Sequence, residues 1–179
     1  MPKLSYSKLI LKFLFEHSNK MNIFFLSLNP VECAKWHVNK HVVKMILETV
    51  QLLCSAIWLS GLEAPYKLTH KNHPCAVWTR ANKTNWNWLK ELGLSLCSEY
   101  TYRYGKVHKS EKILLDLKCP SLSDNVFFEP PQAMPDKFKV KGNSIEAYRA
   151  FYSIGKRHLH AWKNRDIPKF ISEYEEIYF

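Results

Sequence analysis

The positions of proline and glycine constrain the fold of this chain more than any other feature. Asn29-Pro30 supplies a helix N-cap followed by proline at the first helical position, and Gly61 closes the pattern that it opens. His73-Pro74 opens a second helical pattern, which ends at a glycine C-cap, Gly105. We therefore expect two long helices, over residues 30–59 and 74–104.

Prolines also define a long loop in the second half of the chain. Four prolines fall between Cys119 and Gly142, at positions 120, 130, 131 and 135, and they exclude a regular helix from this stretch. Loops of this length in compact domains are often functional. A shorter helix is expected before the loop, over residues 106–118. After it, Asn143 with Glu146 resembles a capping box, which predicts a helix that reaches about Trp162.

These signals together predict a mainly α, single compact domain of about five helices. Residues 22–27 are typical of a short buried β-strand that pairs with part of the 119–142 loop, and Pro168 predicts a last short helix. Met21 followed by Asn-Ile-Phe-Phe-Leu has the character of a second start. We therefore interpret residues 1–20 as an N-terminal appendage and residues 21–179 as the helical domain.

The charge of the chain indicates a polyanionic partner. The formal net charge is +10, and the stretch from Lys137 to Lys169 holds nine lysines and arginines against two acidic residues. A focused positive field attracts phosphate backbones, which makes nucleic acid, and DNA in particular, the expected partner. A solvated basic surface that only maintains solubility is the alternative.

Cysteine usage and hydropathy indicate the cellular compartment in which this protein is expected. The five cysteines are odd in number and widely spaced without a C-x-x-C pair, a pattern that disfavours a disulfide framework or a zinc finger and favours an intracellular protein. No uninterrupted apolar stretch reaches the roughly 18 residues of a membrane span, so no membrane association is expected. Nothing in the sequence indicates an obligate protein partner.

The first predicted helix carries a stripe of chemically active side chains. His37, His41, Lys44 and Glu48 follow at i, i+4, i+7 and i+11 among apolar residues. Two histidines one turn apart can bind a divalent metal ion, which would need a further ligand such as His73, Glu99 or His108. Glu48 beside a histidine can instead act as a general acid or base. Lys44 and Glu48 can also form an ordinary i,i+4 salt bridge.

Further candidates lie outside this stripe. His73 stands at the start of the second helix, where unpaired N–H groups suit an anion; a plain N-cap histidine, with Trp78 in the core, is the alternative. Aromatic and basic side chains of the helical stretches are candidates for stacking on bases or contacting phosphates. The catalytic candidates are thus His37, His41, Glu48 and His73, with His37, His41 and His73 as possible metal ligands. The nucleic-acid-binding candidates are Arg80, Trp88, Arg103, Arg149, Lys156 and Lys163.

Six further motifs occur along the chain, namely Met21–Phe24, Lys40–Met45, His70–Pro74, Glu99–Lys106, Ala133–Asp136 and Ala147–Tyr152. Together they resemble a family of uncharacterised proteins from tailed phages and large DNA viruses, over about residues 21–165. The resemblance implies a viral origin, with the host cytoplasm or nucleus as location, and supports Met21 as the ancestral start. The resemblance implies no established activity for this chain.

A short N-terminal segment, a long helix and a helix that ends in Tyr102-Arg-Tyr-Gly follow one another in this chain. This order is similar to that of the phage pyrimidine-dimer DNA glycosylases. These small, basic, helical enzymes use an N-terminal amine as nucleophile and a helix glutamate to assist it, and Glu48 matches the glutamate. The amine has no match, because 20 residues precede Met21. Three hypotheses follow: an enzyme of DNA repair or base modification that uses Glu48 and His41, a His/Glu metalloenzyme acting on a smaller substrate, and a non-catalytic nucleic-acid-binding protein.

Overall fold

The computed structural model describes residues 21–178, and this part of the chain contains seven α-helices. They are α1 (Pro30–Trp36), α2 (Asn39–Leu59), α3 (Pro74–Thr79), α4 (Lys83–Tyr104), α5 (Glu111–Asp116), α6 (Ser144–Ala150) and α7 (Phe170–Tyr178). The mainly α fold class is confirmed. The predicted strand is not, because residues 21–27 are buried but form no β-strand, and there is none elsewhere in 21–178. The predicted appendage, residues 1–20, lies outside the described residues.

The first predicted long helix consists of two helices, α1 and α2, separated at His37 and Val38. Both residues adopt extended backbone angles, with ψ values of 134° and 156°. Arg103 stabilises the break, because its guanidinium donates to the carbonyl oxygens of Lys35 and His37, each at 2.8 Å. The N–H of Val38 donates to the Tyr152 hydroxyl at 2.9 Å. Backbone groups at the break are therefore satisfied by distant side chains.

The second predicted long helix is also divided, into α3 and α4. Asn82 has an extended backbone, and its side chain accepts the N–H of Asn85 at 2.8 Å, so it acts as an N-cap for α4. Gly105 adopts the left-handed conformation at the end of α4, with φ of 64°, and confirms the predicted C-cap.

The predicted helix over 143–162 is wrong beyond residue 150. Asn143 caps α6 as predicted, accepting the N–H of Glu146 at 3.0 Å. A π turn (Phe151–Gly155) and a 3-10 turn (Arg157–Leu159) follow instead of further α-helix. The Nε2–H of His160 donates to the carbonyl oxygen of Tyr152 at 3.0 Å, and this is the acceptor that a continuing α-helix would need. The N–H of Lys156 donates to Phe151, one residue further back.

The remaining predictions of local structure hold in outline. Residues 119–142 are irregular except for a 3-10 turn (Asp136–Phe138), α5 is shorter than the predicted 106–118 helix, and the last helix begins two residues after Pro168. The five cysteines are free thiols.

Helices α2 and α4 form the centre of the fold. They approach closely where Gly93 faces Thr49, since a Cβ atom at Gly93 would lie 2.7 Å from Thr49 Cγ2. Among the described helices, α2 is the one whose length and composition would allow it to cross a membrane, a test that buried core helices also pass. In this fold 67% of its apolar stretch is buried inside the protein.

Candidate functional site

The polar stripe of α2 is present, and two of its side chains are almost buried. His41 is 6% exposed and Glu48 is 8% exposed, whereas Lys44 lies on the surface. Lys44 Nζ lies 3.0 Å from Glu48 Oε1, which confirms the i,i+4 salt bridge considered above. His41 and Glu48 are separated by about 10 Å of helix rise, so they do not act as a hydrogen-bonded pair.

Glu48 connects α2 to the segment that precedes α1. Its Oε2 atom accepts the backbone N–H of Asn22 at 3.1 Å. Cys75, on α3, lies close enough for the Glu48 charge to act on its thiol, and burial together with that charge raises the thiol pKa to about 12. Glu48 therefore lies where α2, α3 and the buried segment 21–27 meet.

His41 is held by a phenol that fixes its tautomer. The Tyr152 hydroxyl accepts the N–H of Val38 at 2.9 Å and lies 2.8 Å from His41 Nδ1. Among the described residues, His41 Nδ1 is the one acceptor within reach of the hydroxyl proton, so the hydroxyl donates to Nδ1 and the imidazole carries its proton on Nε2. Burial, followed by nearby positive charges, holds the pKa of His41 well below 6.5. At neutral pH His41 is therefore a neutral imidazole with an Nε2–H donor.

His37 has the opposite tautomer and no access to solvent. Its Nδ1–H donates to the carbonyl oxygen of Cys33 at 2.7 Å, and Nε2 is buried without a hydrogen-bond partner among the described residues. Burial lowers its pKa to about 4. Because His37 is 0% exposed, the prediction that it contacts a substrate is corrected: it is a buried neutral histidine.

Basic side chains gather around His41. We refer to Lys40, Lys44, Lys156 and His158 as the basic cluster. Burial and then the charge of Lys44 lower the pKa of Lys156, and burial followed by the charges of Lys156, Lys40 and His160 lowers the pKa of His158. The charges of Lys156, Lys44 and His158 also depress the pKa of His41. The cluster thus joins one end of α2 to the segment after the π turn.

The aromatic rings beneath this cluster determine where its groups lie. Phe24 stacks on His41 with ring centroids 4.2 Å apart, and on Phe151 at 6.5 Å. Lys156 Nζ lies over the Phe151 ring, 5.0 Å from its centroid. The apolar platform explains why Lys156 is partly desolvated although it is a lysine near the surface.

The structure does not support the predicted metal ligands as a set. His73 acts as the N-cap of α3, accepting the N–H of Cys75 at 3.2 Å, which matches the plain N-cap alternative; Trp78 is in the core. Within residues 21–178 no three His, Cys, Asp or Glu side chains are grouped so that they could hold a metal ion. His37, His41 and His73 do not form such a group.

Arg103 is the clearest correction among the nucleic-acid-binding candidates. It is 1% exposed, and besides the two carbonyl oxygens at the helix break its guanidinium contacts Glu99 Oε2 at 3.1 Å. Arg165 forms a second ion pair with Glu99, at 2.6 Å. Arg103 is unable to reach a phosphate in this structure, because it is buried and four hydrogen bonds to protein groups hold its guanidinium.

Three further candidates are occupied by intramolecular contacts. The guanidinium of Arg149 lies over the rings of Trp36 and Phe170, and its Nε–H donates to Leu26 O at 2.9 Å. Trp88 donates to Leu28 O and packs in an aromatic cluster, and Arg80 donates to Lys71 O. Lys156 and Lys163 remain available; Lys163 is exposed, with Nζ 5.5 Å from the Tyr104 ring centroid.

Sequence reasoning missed three residues of this site, namely Asn22, Tyr152 and His158. Tyr152 lies in the helix predicted over residues 143–162, and a phenol that is buried there needs a hydrogen-bond partner and therefore signals a polar contact. Asn22 acts through its backbone N–H, which carries no sequence signal. His158 comes close to α2 only because the chain leaves the α-helix after residue 150.

A separate cavity lies at the other end of α2. It has a volume of about 540 Å³, and Ile57, Leu62, Lys112 and Asp116 are among its lining residues. Ile57 is 16 positions beyond His41, which corresponds to about 24 Å of helix. This cavity therefore includes none of the candidate catalytic residues.

The arrangement around His41 and Glu48 combines a carboxylate, a fixed neutral N–H donor and several positive charges. It has the groups for proton transfer and for contact with an anion. Comparisons of this chain with models of protein families, with curated proteins and with solved structures find no match.

Proposed function

We propose that this protein is an enzyme that acts on nucleic acid, most simply DNA, in repair or base modification. The observation that carries the proposal is that Glu48 and His41, two nearly buried groups able to transfer or donate a proton, share one face of α2 with Lys44, and that the charges of Lys156 and His158 also act on His41. Positive charge attracts a polyanion to the place where these groups lie, and this combination is expected of a site that does chemistry on nucleic acid.

In this proposal Glu48 is the general acid or base. It accepts one backbone N–H and pairs with Lys44, so its position is determined by two independent contacts. The resemblance to pyrimidine-dimer glycosylases gives a helix glutamate this kind of role. The nitrogen beside Glu48 is the amide of Asn22, which is not nucleophilic, so the acid–base role of Glu48 is the part of the resemblance that we retain.

The test is turnover of duplex oligonucleotides by the wild-type chain and by Glu48→Gln. The panel contains unmodified, abasic, pyrimidine-dimer and alkylated duplexes. Glutamine keeps an oxygen for the Asn22 N–H but does not exchange a proton at neutral pH. We expect a rate loss of about 10²–10⁴-fold with duplex affinity retained. Glu91→Gln, an exposed glutamate on α4, is the matched control and should leave the rate unchanged.

Full activity of Glu48→Gln on a substrate that the wild type converts would remove Glu48 from the chemistry. Salt-dependent binding without turnover of any member of the panel would favour the second candidate, a non-catalytic nucleic-acid-binding protein. The buried, neutral state of His37 agrees with that candidate, because it shows that part of the histidine stripe is structural. Trapping of the protein on an abasic duplex by borohydride would establish an imine-forming reaction.

A further inference from the structure

The Nε2–H group of His41 is an oriented donor for which residues 21–178 provide no acceptor. Tyr152 fixes the proton on Nε2 by donating to Nδ1, and Tyr152 is itself held by the N–H of Val38. Among the described residues, none forms a hydrogen bond with His41 Nε2, although the histidine is only 6% exposed. His41 Nε2 is not one of the fully buried polar atoms that lack a partner, so this N–H, held in one direction, is accessible to an acceptor from outside the chain.

The charges around this donor indicate the chemistry of the missing acceptor. Lys156 Nζ lies over the Phe151 ring, Phe151 stacks with Phe24 as His41 does, and Lys44 follows His41 by one turn of α2. The positive charges of Lys156, Lys44 and His158 also lower the pKa of His41, and those of Lys40 and His160 act in the same way on His158. Glu48 is the acid on this face of α2, and it is paired with Lys44. Lys156 is half-buried over the Phe151 ring, whereas Lys40, Lys44 and His158 are exposed. This concentration of positive charge attracts an anion.

We propose that His41, Lys156 and His158 form a binding site for one phosphate group. His41 donates its neutral Nε2–H, Lys156 supplies a charged N–H above the Phe151 ring, and His158 becomes protonated when the anion arrives. The proposal rests on the proposed function insofar as the phosphate belongs to a nucleic acid. The same chemistry also fits a phosphomonoester at an oligonucleotide end or in a small ligand.

Tyr152 is a positioning residue in this site, because it touches His41 and not the anion. Without its hydroxyl the imidazole is free to place its proton on either nitrogen. Tyr152→Phe also removes the acceptor of the buried Val38 N–H, which affects folding. The decisive variant is therefore Lys156→Gln, whose side chain is partly exposed.

The experiment is a titration of the full chain with inorganic phosphate, followed by NMR of the histidine ring nitrogens. We expect a saturable shift at His41 Nε2, with the free protein showing the Nε2–H tautomer. Since a hydrogen bond to a charged group is involved, Lys156→Gln should weaken phosphate binding about 10–100-fold. Lys112→Gln, an exposed lysine beside the cavity at the other end of α2, is the control and should change affinity less than about twofold.

The pH dependence provides a second readout. A bound anion favours the charged forms of Lys156 and His158, so binding is accompanied by proton uptake, and affinity should fall as pH rises through the pKa values of these two groups. Sulfate serves as the probe here because its charge does not change near neutral pH. A sulfate affinity that stays constant over the pH values at which Lys156 and His158 titrate would contradict the participation of these two side chains.

Oligonucleotides with and without a 5′-phosphate separate the sources of the phosphate. Equal shifts at His41 indicate a backbone phosphodiester, whereas a shift that needs the 5′-phosphate indicates a terminal monoester. The inference is overturned if phosphate produces no saturable change at His41, or if Lys112→Gln weakens binding as much as Lys156→Gln. Phosphate binding at His41 without any oligonucleotide binding would leave the site standing and refute the nucleic-acid function. Oligonucleotide binding that leaves His41 unaffected would refute the phosphate site and leave the nucleic-acid function standing.

Discussion

Replacing Arg103 should destabilise the fold strongly without any specific effect on nucleic-acid binding. Its guanidinium contacts Glu99 and the carbonyl oxygens of Lys35 and His37, and it also donates to Asn39 Oδ1 at 3.1 Å. All of these contacts are at the junction of α1, α2 and α4.

The magnitude follows from what Arg103→Met would leave behind. Two carbonyl oxygens at the helix break would lose their side-chain donor, and Glu99 would retain Arg165 alone as a charged partner. Breaking a buried ion pair by removal of one partner costs about 3–5 kcal/mol, because the other charge is left desolvated. Since Arg165 still neutralises Glu99, we expect a loss at the lower end, about 3 kcal/mol, in the free energy of unfolding. Arg103→Lys should recover only part of this lost free energy, because the lysine ammonium lacks the planar, forked set of N–H donors of a guanidinium.

Urea unfolding followed by tryptophan fluorescence measures this loss as a shift of the midpoint at constant slope. Arg80→Lys is the control, since Arg80 is half-buried and makes a single contact with Lys71 O, so its replacement should cost no more than about 1 kcal/mol. A loss below about 1 kcal/mol for Arg103→Met, or a loss of duplex affinity without a loss of stability, would refute the structural assignment of Arg103.

Three further predictions concern packing, pH and charge. Gly93→Ala places a Cβ atom 2.7 Å from Thr49 Cγ2, so despite a gain of about 1 kcal/mol in helix propensity it should lower the unfolding free energy by about 1–3 kcal/mol; a stabilised variant in urea unfolding would contradict this. His37 has a folded-state pKa of about 4 against 6.5 unfolded, so the unfolded chain binds more protons between these values and stability falls as pH is lowered from 6.5 to 4. His37 should contribute up to about 1.4 kcal/mol per pH unit to this slope, which therefore becomes shallower in His37→Leu, whereas equal slopes in both proteins would refute the prediction. Replacing Lys156 and Lys163 together by glutamine should weaken duplex binding similarly for all sequences and reduce the salt slope by roughly one unit per lost phosphate contact, measured by fluorescence anisotropy; an unchanged slope would exclude this surface.

Local signals in the sequence were sufficient for much of the secondary structure. Asn29-Pro30, Gly105 and Asn143 each act at the predicted helix ends, because a cap depends on a few neighbouring residues. The proline-bearing stretch is irregular for an equally local reason, the missing N–H and the fixed φ of proline. The Lys44–Glu48 pair likewise follows from helical spacing alone.

The local signals did not show where contacts from residues distant in the chain interrupt a helix. The break between α1 and α2 depends on Arg103, which follows it by more than sixty residues, and the π turn coincides with a histidine side chain that occupies a backbone carbonyl. Each contact costs chain entropy to form and is decided by the packing of the whole domain, so no window of neighbouring residues encodes it.

The sequence by itself determined that this chain is helical and basic and that His41, Lys44 and Glu48 share a helix face, because periodicity and charge are properties of the residues in order. Tertiary structure alone decided which of the charged and aromatic candidates are accessible. It buried His37 and Arg103, engaged Trp88 and Arg149, and brought Lys156 to His41. The physical reason is that burial and electrostatic environment depend on distances between segments remote in the chain, and those distances exist only after the helices have packed.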